Sequence, residues 1–133
     1  MSGTLNVLVY SDDASVRAQV LTALGTRVAP ELPRLEFIEV ATEPVVIRTL
    51  DAGGVDLVIL DGEAHPAGGL GVCRQIKEEI FQAPPVIVLT GRPGDAWLAT
   101  WSRAEGVVPQ PIDPVVLAET AATLLRQRVA VTA

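Results

Sequence analysis

Residues 55–77 read VDLVILDGEAHPAGGLGVCRQIK, and this stretch decides the fold. Residues 55–60 are aliphatic except for Asp56, so both alternating sets of positions are apolar toward the end of the run. A strand of that kind is buried on both faces, as a central parallel strand covered by helices must be. The polar group Asp61-Gly62-Glu63 follows at once, and after a glycine-containing loop residues 70–81 are long enough for a helix. Working outward, similar short aliphatic runs recur at residues 5–10, 35–40, 85–90 and 107–109. Between and after them lie helix-length segments at residues 14–27, 44–52, 95–103 and 114–128. The predicted order is βαβαβαβαβα, an α/β chain with a doubly wound five-stranded parallel sheet.

Local punctuation agrees with that order. Asp113 before Pro114 is an N-cap followed by proline at the first helical position. Leu117, Ala121, Leu124 and Leu125 then form an apolar stripe, with Arg126 and Arg128 suited to the last turn. Gly53-Gly54 ends the second helix, Gly91-Arg92-Pro93-Gly94 interrupts the chain after the fourth strand, and Pro30 and Pro33 place a loop before the second. Residues 1–4 and 129–133 are expected to be loose ends.

Composition narrows the function classes. The 133 residues carry a formal charge of −6 and only two Trp, one Tyr and two Phe, which disfavours a phosphate-tracking groove with stacking platforms. Direct nucleic-acid binding is therefore not expected. No run spans a bilayer or resembles a signal segment, so a cytoplasmic location is the expectation. Cys73 is the single cysteine, which excludes an internal disulfide and a thiolate metal cage. Length and composition predict one domain, residues 1–133, with no separate effector domain.

In an open parallel sheet, ligands bind beyond the carboxyl ends of the strands. Those ends carry Ser11, Asp12 and Asp13 after strand one, Asp61-Gly62-Glu63 after strand three, Thr90 after strand four and Gln110-Pro111 after strand five. Carboxylates from two strand ends repel unless a hard cation or a basic side chain intervenes, and a set of oxygen ligands suits Mg²⁺. An aspartate there can act as a nucleophile toward a phosphoryl group. On the residues alone, Asp61 and Asp12 are equally explained as helix caps.

The segment VDLVILDGEAHPAGGLGVCRQIK, together with VIVLT (residues 86–90) and PQPIDP (residues 109–114), resembles the receiver domain of two-component response regulators along essentially the whole chain. The resemblance implies a flavodoxin-like three-layer sandwich with strand order 2-1-3-4-5. It implies Asp61 as phosphoacceptor, Gly69 as the loop glycine, Thr90 as the switch hydroxyl and a cis Gln110-Pro111 peptide. Mg²⁺ would be held by Asp12, Asp61 and the Glu63 backbone carbonyl, joined by Ser11 or Asp13. The implied partners are a histidine kinase or other signalling protein and a downstream protein target, with the chain a monomer or weak homodimer and no enzyme beyond self-phosphorylation and self-dephosphorylation.

Several residues depart from the family pattern. Aligning VLVYSDDASVR through Arg17 puts Ser11 at the first acidic position and Asp12 at the second; the other register pairs Asp12 with Asp13. Gln110 stands where the family has lysine, supplying an amide donor without positive charge. The usual proline sits one position late at Pro66, with His65 in its place, and Val107 replaces the aromatic switch residue. The site has one acid fewer and no ammonium, so metal capture and phosphorylation-driven switching should both be weak.

Three readings follow: a phosphoryl-accepting receiver, a phosphorylation-independent docking module of the same fold, and an aspartate-nucleophile phosphohydrolase. The last is disfavoured because Glu63 stands where such enzymes place a second aspartate. His65, a lone loop histidine, is expected to be solvated rather than catalytic, and Cys73 to be packed in the core. Trp97 and Trp101, spaced i, i+4, share one helix face. Core packing would account for them equally, but the family register turns Leu98, Ala99 and Ser102 inward, which implies Trp97 and Trp101, with Val107, on the partner-binding surface.

Overall fold

The computed structural model describes residues 3–91 and 96–132. Five strands alternate with five helices: β1 (Thr4–Tyr10), α1 (Ala14–Leu24), β2 (Arg34–Val40), α2 (Glu43–Ala52), β3 (Leu57–Asp61), α3 (Gly69–Glu79), β4 (Val86–Thr90), α4 (Ala96–Ser102), β5 (Gly106–Pro109) and α5 (Pro114–Thr132). The strands are all parallel, in the order β2-β1-β3-β4-β5. This is the doubly wound parallel sheet that the strand patterning predicts, in the flavodoxin-like order that the resemblance implies.

The two-sided apolar strands make two cores, because successive side chains point to opposite faces. Val7, Val9, Leu57, Ile59, Ile87 and Leu89 face α1 and α5, where they meet Val20, Leu24, Leu117, Ala121 and Leu125. Leu8, Tyr10, Val58, Leu60, Val86 and Val88 face the other way, against Val46 and Leu50 of α2 and Val72, Cys73 and Ile76 of α3. Cys73 is buried there, as expected.

Element ends moved for identifiable reasons. The first helix stops at Leu24 rather than residue 27 because Gly25, at φ 62°, turns the chain and its N–H returns to Leu21 O. The third strand runs on to include Asp61 and begins two residues later than expected. Residues 129–132 are not loose: α5 continues through them, anchored by Arg126 Nε to Glu31 at 2.8 Å and Arg128 Nε to Asp56 at 3.3 Å. Thr4 likewise belongs to β1, paired with Arg34 of β2. The interruption at Arg92-Pro93-Gly94 and the expected helix start at Asp95 lie outside the described residues, as do the side chains of Leu98 and Ala99; Ser102 is buried.

Candidate functional site

Asp61 is the last residue of β3, the central strand, and its side chain is buried at the carboxyl edge of the sheet. The following loop holds it tightly. A Cβ on Gly69, the first residue of α3, would lie 2.7 Å from Asp61 O, and a Cβ on Gly62 would lie 2.6 Å from Leu89 O. Only glycine allows the loop to approach both backbones this closely.

Both carboxylate oxygens of Asp61 are engaged by neutral donors. Oδ2 accepts the Ser11 hydroxyl at 2.8 Å. Oδ1 accepts Glu63 N–H at 2.8 Å and Gln110 Nε2 at 2.9 Å. Ser11 and Gln110, from β1 and β5 ends, are thus brought onto the same carboxylate, as the strand-end map implies. Gln110 is fixed in turn by its N–H on Thr90 O at 2.8 Å, and the Gln110–Pro111 peptide is cis. Thr90 is buried at the end of β4 beside them.

The acids near strand one divide their roles. Ser11 is fully buried, which supports the register that puts it at the first acidic position. Asp13 lies outside the cluster as the N-cap of α1, accepting Ser15 N–H at 2.8 Å and the Ser15 hydroxyl at 2.7 Å. Those hydrogen bonds hold its carboxyl below the ordinary range. Neither Asp12 nor Asp61 is a helix cap: α1 is capped by Asp13, α3 is entered through Gly68, and Asp12 Oδ1 accepts His65 N–H at 3.0 Å. His65 is exposed, and its peptide to Pro66 is also cis. Glu63 is exposed, and its carboxyl lies against Gly91, where any Cβ would overlap it.

Two contributors were not singled out from sequence as site residues. Tyr10 is buried at the end of β1 and donates its hydroxyl to Ala67 O at 2.6 Å. Burial pushes its phenol up, and the nearby carboxylates of Asp12, Glu43 and Asp61 add to the shift. Arg17, read only as a marker of register, donates Nη1 to Ser11 O at 2.6 Å and pairs with Glu39 at 3.1 Å. The arginine thus fixes the Ser11 backbone from α1, a role no spacing pattern announces.

The residues offer a magnesium ion two carboxylates at most, those of Asp12 and Asp61, with the Glu63 carbonyl beside them. Among the described residues no three of His, Cys, Asp and Glu converge to hold a metal. Asp13 caps α1, and a hydroxyl that donates to Asp61 occupies the position where a further carboxylate would serve a dication. Trp97 and Trp101 are 69% and 46% exposed on α4, with the Arg74 guanidinium 4.8 Å above the Trp101 ring. Val107 is half-buried on β5 opposite Val88.

No family model matches the chain. Response regulatory proteins from two strains of Mycobacterium tuberculosis are each 57% identical to it over 125 residues, covering 94% of this chain and 94% of each relative. The fold is shared with the chemotaxis response regulator CheY4 of Vibrio cholerae, at TM-score 0.73 and 19% identity over 92% of this chain and all of that one. It is also shared with a Francisella response regulator receiver domain, at TM-score 0.77 and 14% identity over 92% of this chain and 98% of that one. Among the described residues no helix is long and apolar enough to cross a membrane.

Proposed function

The chain belongs to the response regulators, and from that premise we propose that it is an atypical receiver that signals through protein contacts without requiring a phosphoryl group on Asp61. One observation carries the reading: both oxygens of Asp61 are satisfied by uncharged donors, Ser11 and the Glu63 amide and Gln110. A phosphoryl group brings negative charge into a buried pocket, and a buried charge is stabilised by a cation or by several charge-assisted hydrogen bonds. Gln110 supplies a dipole where the family's lysine would supply a charge. The pocket already rests in a satisfied state, and Val107 has no ring to rotate in response.

Output then belongs to a surface that is formed at all times. Trp97 and Trp101 suit it, since exposed Trp beside Arg is a composition that anchors protein interfaces. The partner is a signalling protein, and a histidine kinase is one candidate class.

The alternative is a working phosphoacceptor, favoured by the placement of Asp61, Gly69 and Thr90 around one strand end. One experiment separates the two: incubate the protein with a small-molecule phosphodonor and Mg²⁺, beside Asp61→Asn and the double variant Ser11→Asp, Gln110→Lys. No added phosphoryl mass on the wild-type chain, with label gained by the double variant, is the expected result. Hydroxylamine-labile label on the wild type, absent from Asp61→Asn, would establish the phosphoacceptor instead. Steady hydrolysis of a phosphate ester would overturn both in favour of an enzyme.

A further inference from the structure

Ser11 stands where two hydrogen bonds meet. Its hydroxyl donates to Asp61 Oδ2 at 2.8 Å and accepts Asp13 N–H at 3.0 Å. Asp13 is the N-cap of α1, holding the Ser15 amide and hydroxyl. A continuous path therefore runs from Gln110 Nε2 through both oxygens of Asp61 to Ser11 Oγ, and from there to the first turn of α1. The Ser11 backbone cannot drift, because its N–H is on Val40 O at 3.1 Å and its carbonyl is held by Arg17.

We propose that Ser11 is a positioning residue that ties the state of Asp61 to the N-terminal turn of α1, making α1 the helix that registers a change at this site. The chemistry of a hydroxyl makes the tie. It has one hydrogen to give, and with Asp61 as acceptor its lone pairs are left facing the Asp13 amide. Once Oδ2 is turned away or taken by another group, the hydroxyl hydrogen must find a new acceptor, and the rotation that follows removes the lone pair from Asp13. A carboxylate at this position would accept from Asp13 whatever Asp61 did, and it would donate nothing to Asp61. The coupling is thus specific to serine or threonine here.

The inference goes beyond the proposed function, because it concerns how any change of partner at Asp61 reaches α1, and it is tested without any phosphoryl transfer, so the two can fail separately. Gln110→Ala removes a donor from Asp61 Oδ1 while leaving β1 and α1 untouched. In ¹⁵N NMR spectra it is expected to shift the Asp13 amide resonance. The same substitution made on a Ser11→Ala background is expected to leave that resonance where Ser11→Ala alone puts it, whereas a Ser11→Thr background keeps the response. An Asp13 amide that ignores Gln110→Ala, or responds equally without the hydroxyl, overturns the proposal. Should Ser11→Ala not fold, hydrogen exchange decides on the single variant. Gln110→Ala is expected to speed exchange of the Asp13 amide by about threefold, a local opening and not a global one. Unchanged exchange overturns the proposal.

Discussion

On the α1 side of Asp61 every step is polar: Ser11 Oγ at 2.8 Å, then the Asp13 amide at 3.0 Å, with Arg17 on Ser11 O at 2.6 Å and on Glu39 at 3.1 Å. On the α4 side lies β5, where Val107 is aliphatic and half-buried while Val108 points into the core with α1 and α5. There α4 is fastened to α3 instead, through Cys73 Sγ on Ser102 O at 3.2 Å and Arg74 Nη1 on Trp101 O at 2.7 Å. Hydrogen bonds are directional and are made or lost discretely, so a chain of them transmits a change of partner. Gln110 at the end of β5 also donates to Asp61 Oδ1 at 2.9 Å, but the strand before it offers α4 the stiff side chain of Val107, whose contacts are non-directional. The two flanks differ in the kind of contact that leads away from Asp61, and the proposed coupling to α1 follows the polar one.

The largest expected effect breaks both flanks together. Gly69→Ala would set a methyl 2.7 Å from Asp61 O and 2.8 Å from its carbonyl carbon, both backbone atoms that cannot step aside. Overpacking of this kind is expected to lower stability by about 3 kcal/mol, measured by urea unfolding. Gly71, two residues along the same helix, has open space around its missing Cβ. Gly71→Ala should instead raise stability by about 0.5–1 kcal/mol, because alanine is the better helix former. Equal behaviour of the two variants would mean that the loop does not clamp Asp61.

A smaller effect isolates the α4 side. Burial pushes the Cys73 thiol up to about 11, against the lowering influence of its contact with Ser102. A group that ionises later in the folded chain than in the unfolded one contributes fully below its ordinary value, 9.0 for this thiol. That contribution is lost as pH rises toward the folded value. Stability is therefore expected to fall by about 2 kcal/mol between pH 8 and 11. The Tyr10 phenol is also pushed up, but the ordinary phenol value is about 10, so its share of the loss begins in the upper part of that window. Cys73→Ala should flatten the profile, whatever its own cost at pH 7. An unchanged slope in the variant would assign the titration elsewhere.

These flanks were unequally legible in the sequence. The alternation of strands and helices and the burial of the sheet on both faces followed from aliphatic runs such as VDLVIL and VIVLT, because such runs leave no polar position to mislead the reading, whereas the order of strands across the sheet came from the family resemblance. Asp61, Gln110 and Ser11 could be assembled on one site because strand ends in a parallel sheet share one edge. Which oxygen met which donor could not be read, since Asp12 and Asp13 have the same chemistry one residue apart. Only the backbone of α1 decides that Asp13 caps it while Asp12 meets the His65 amide. The end of α5 was misread because residues 129–133 carry no charge pattern of their own, and the contacts of Arg126 and Arg128 that anchor the helix are with residues about 70 to 95 positions away. Tyr10 was counted as strand core, and the Ala67 carbonyl that receives its hydroxyl has no sequence signature.

The smallest expected effect isolates the α1 side. Arg17→Met keeps an unbranched stem of similar bulk and removes the guanidinium from both Ser11 O and Glu39. Glu39 is exposed, so that ion pair contributes little and is screened by salt. The bond to the carbonyl of buried Ser11 matters more, because a buried acceptor left without a donor is costly. The expected loss is about 1 kcal/mol, nearly the same at low and at high salt. A loss that vanished at high salt would assign it to Glu39 instead. Hydrogen exchange should then place the loosening at the Asp13 and Ser15 amides of α1 and leave the Ser102 amide of α4 at its wild-type rate. If both helices quickened alike, the polar path to α1 would be no more private than the aliphatic one to α4, and the contrast between the flanks would be gone.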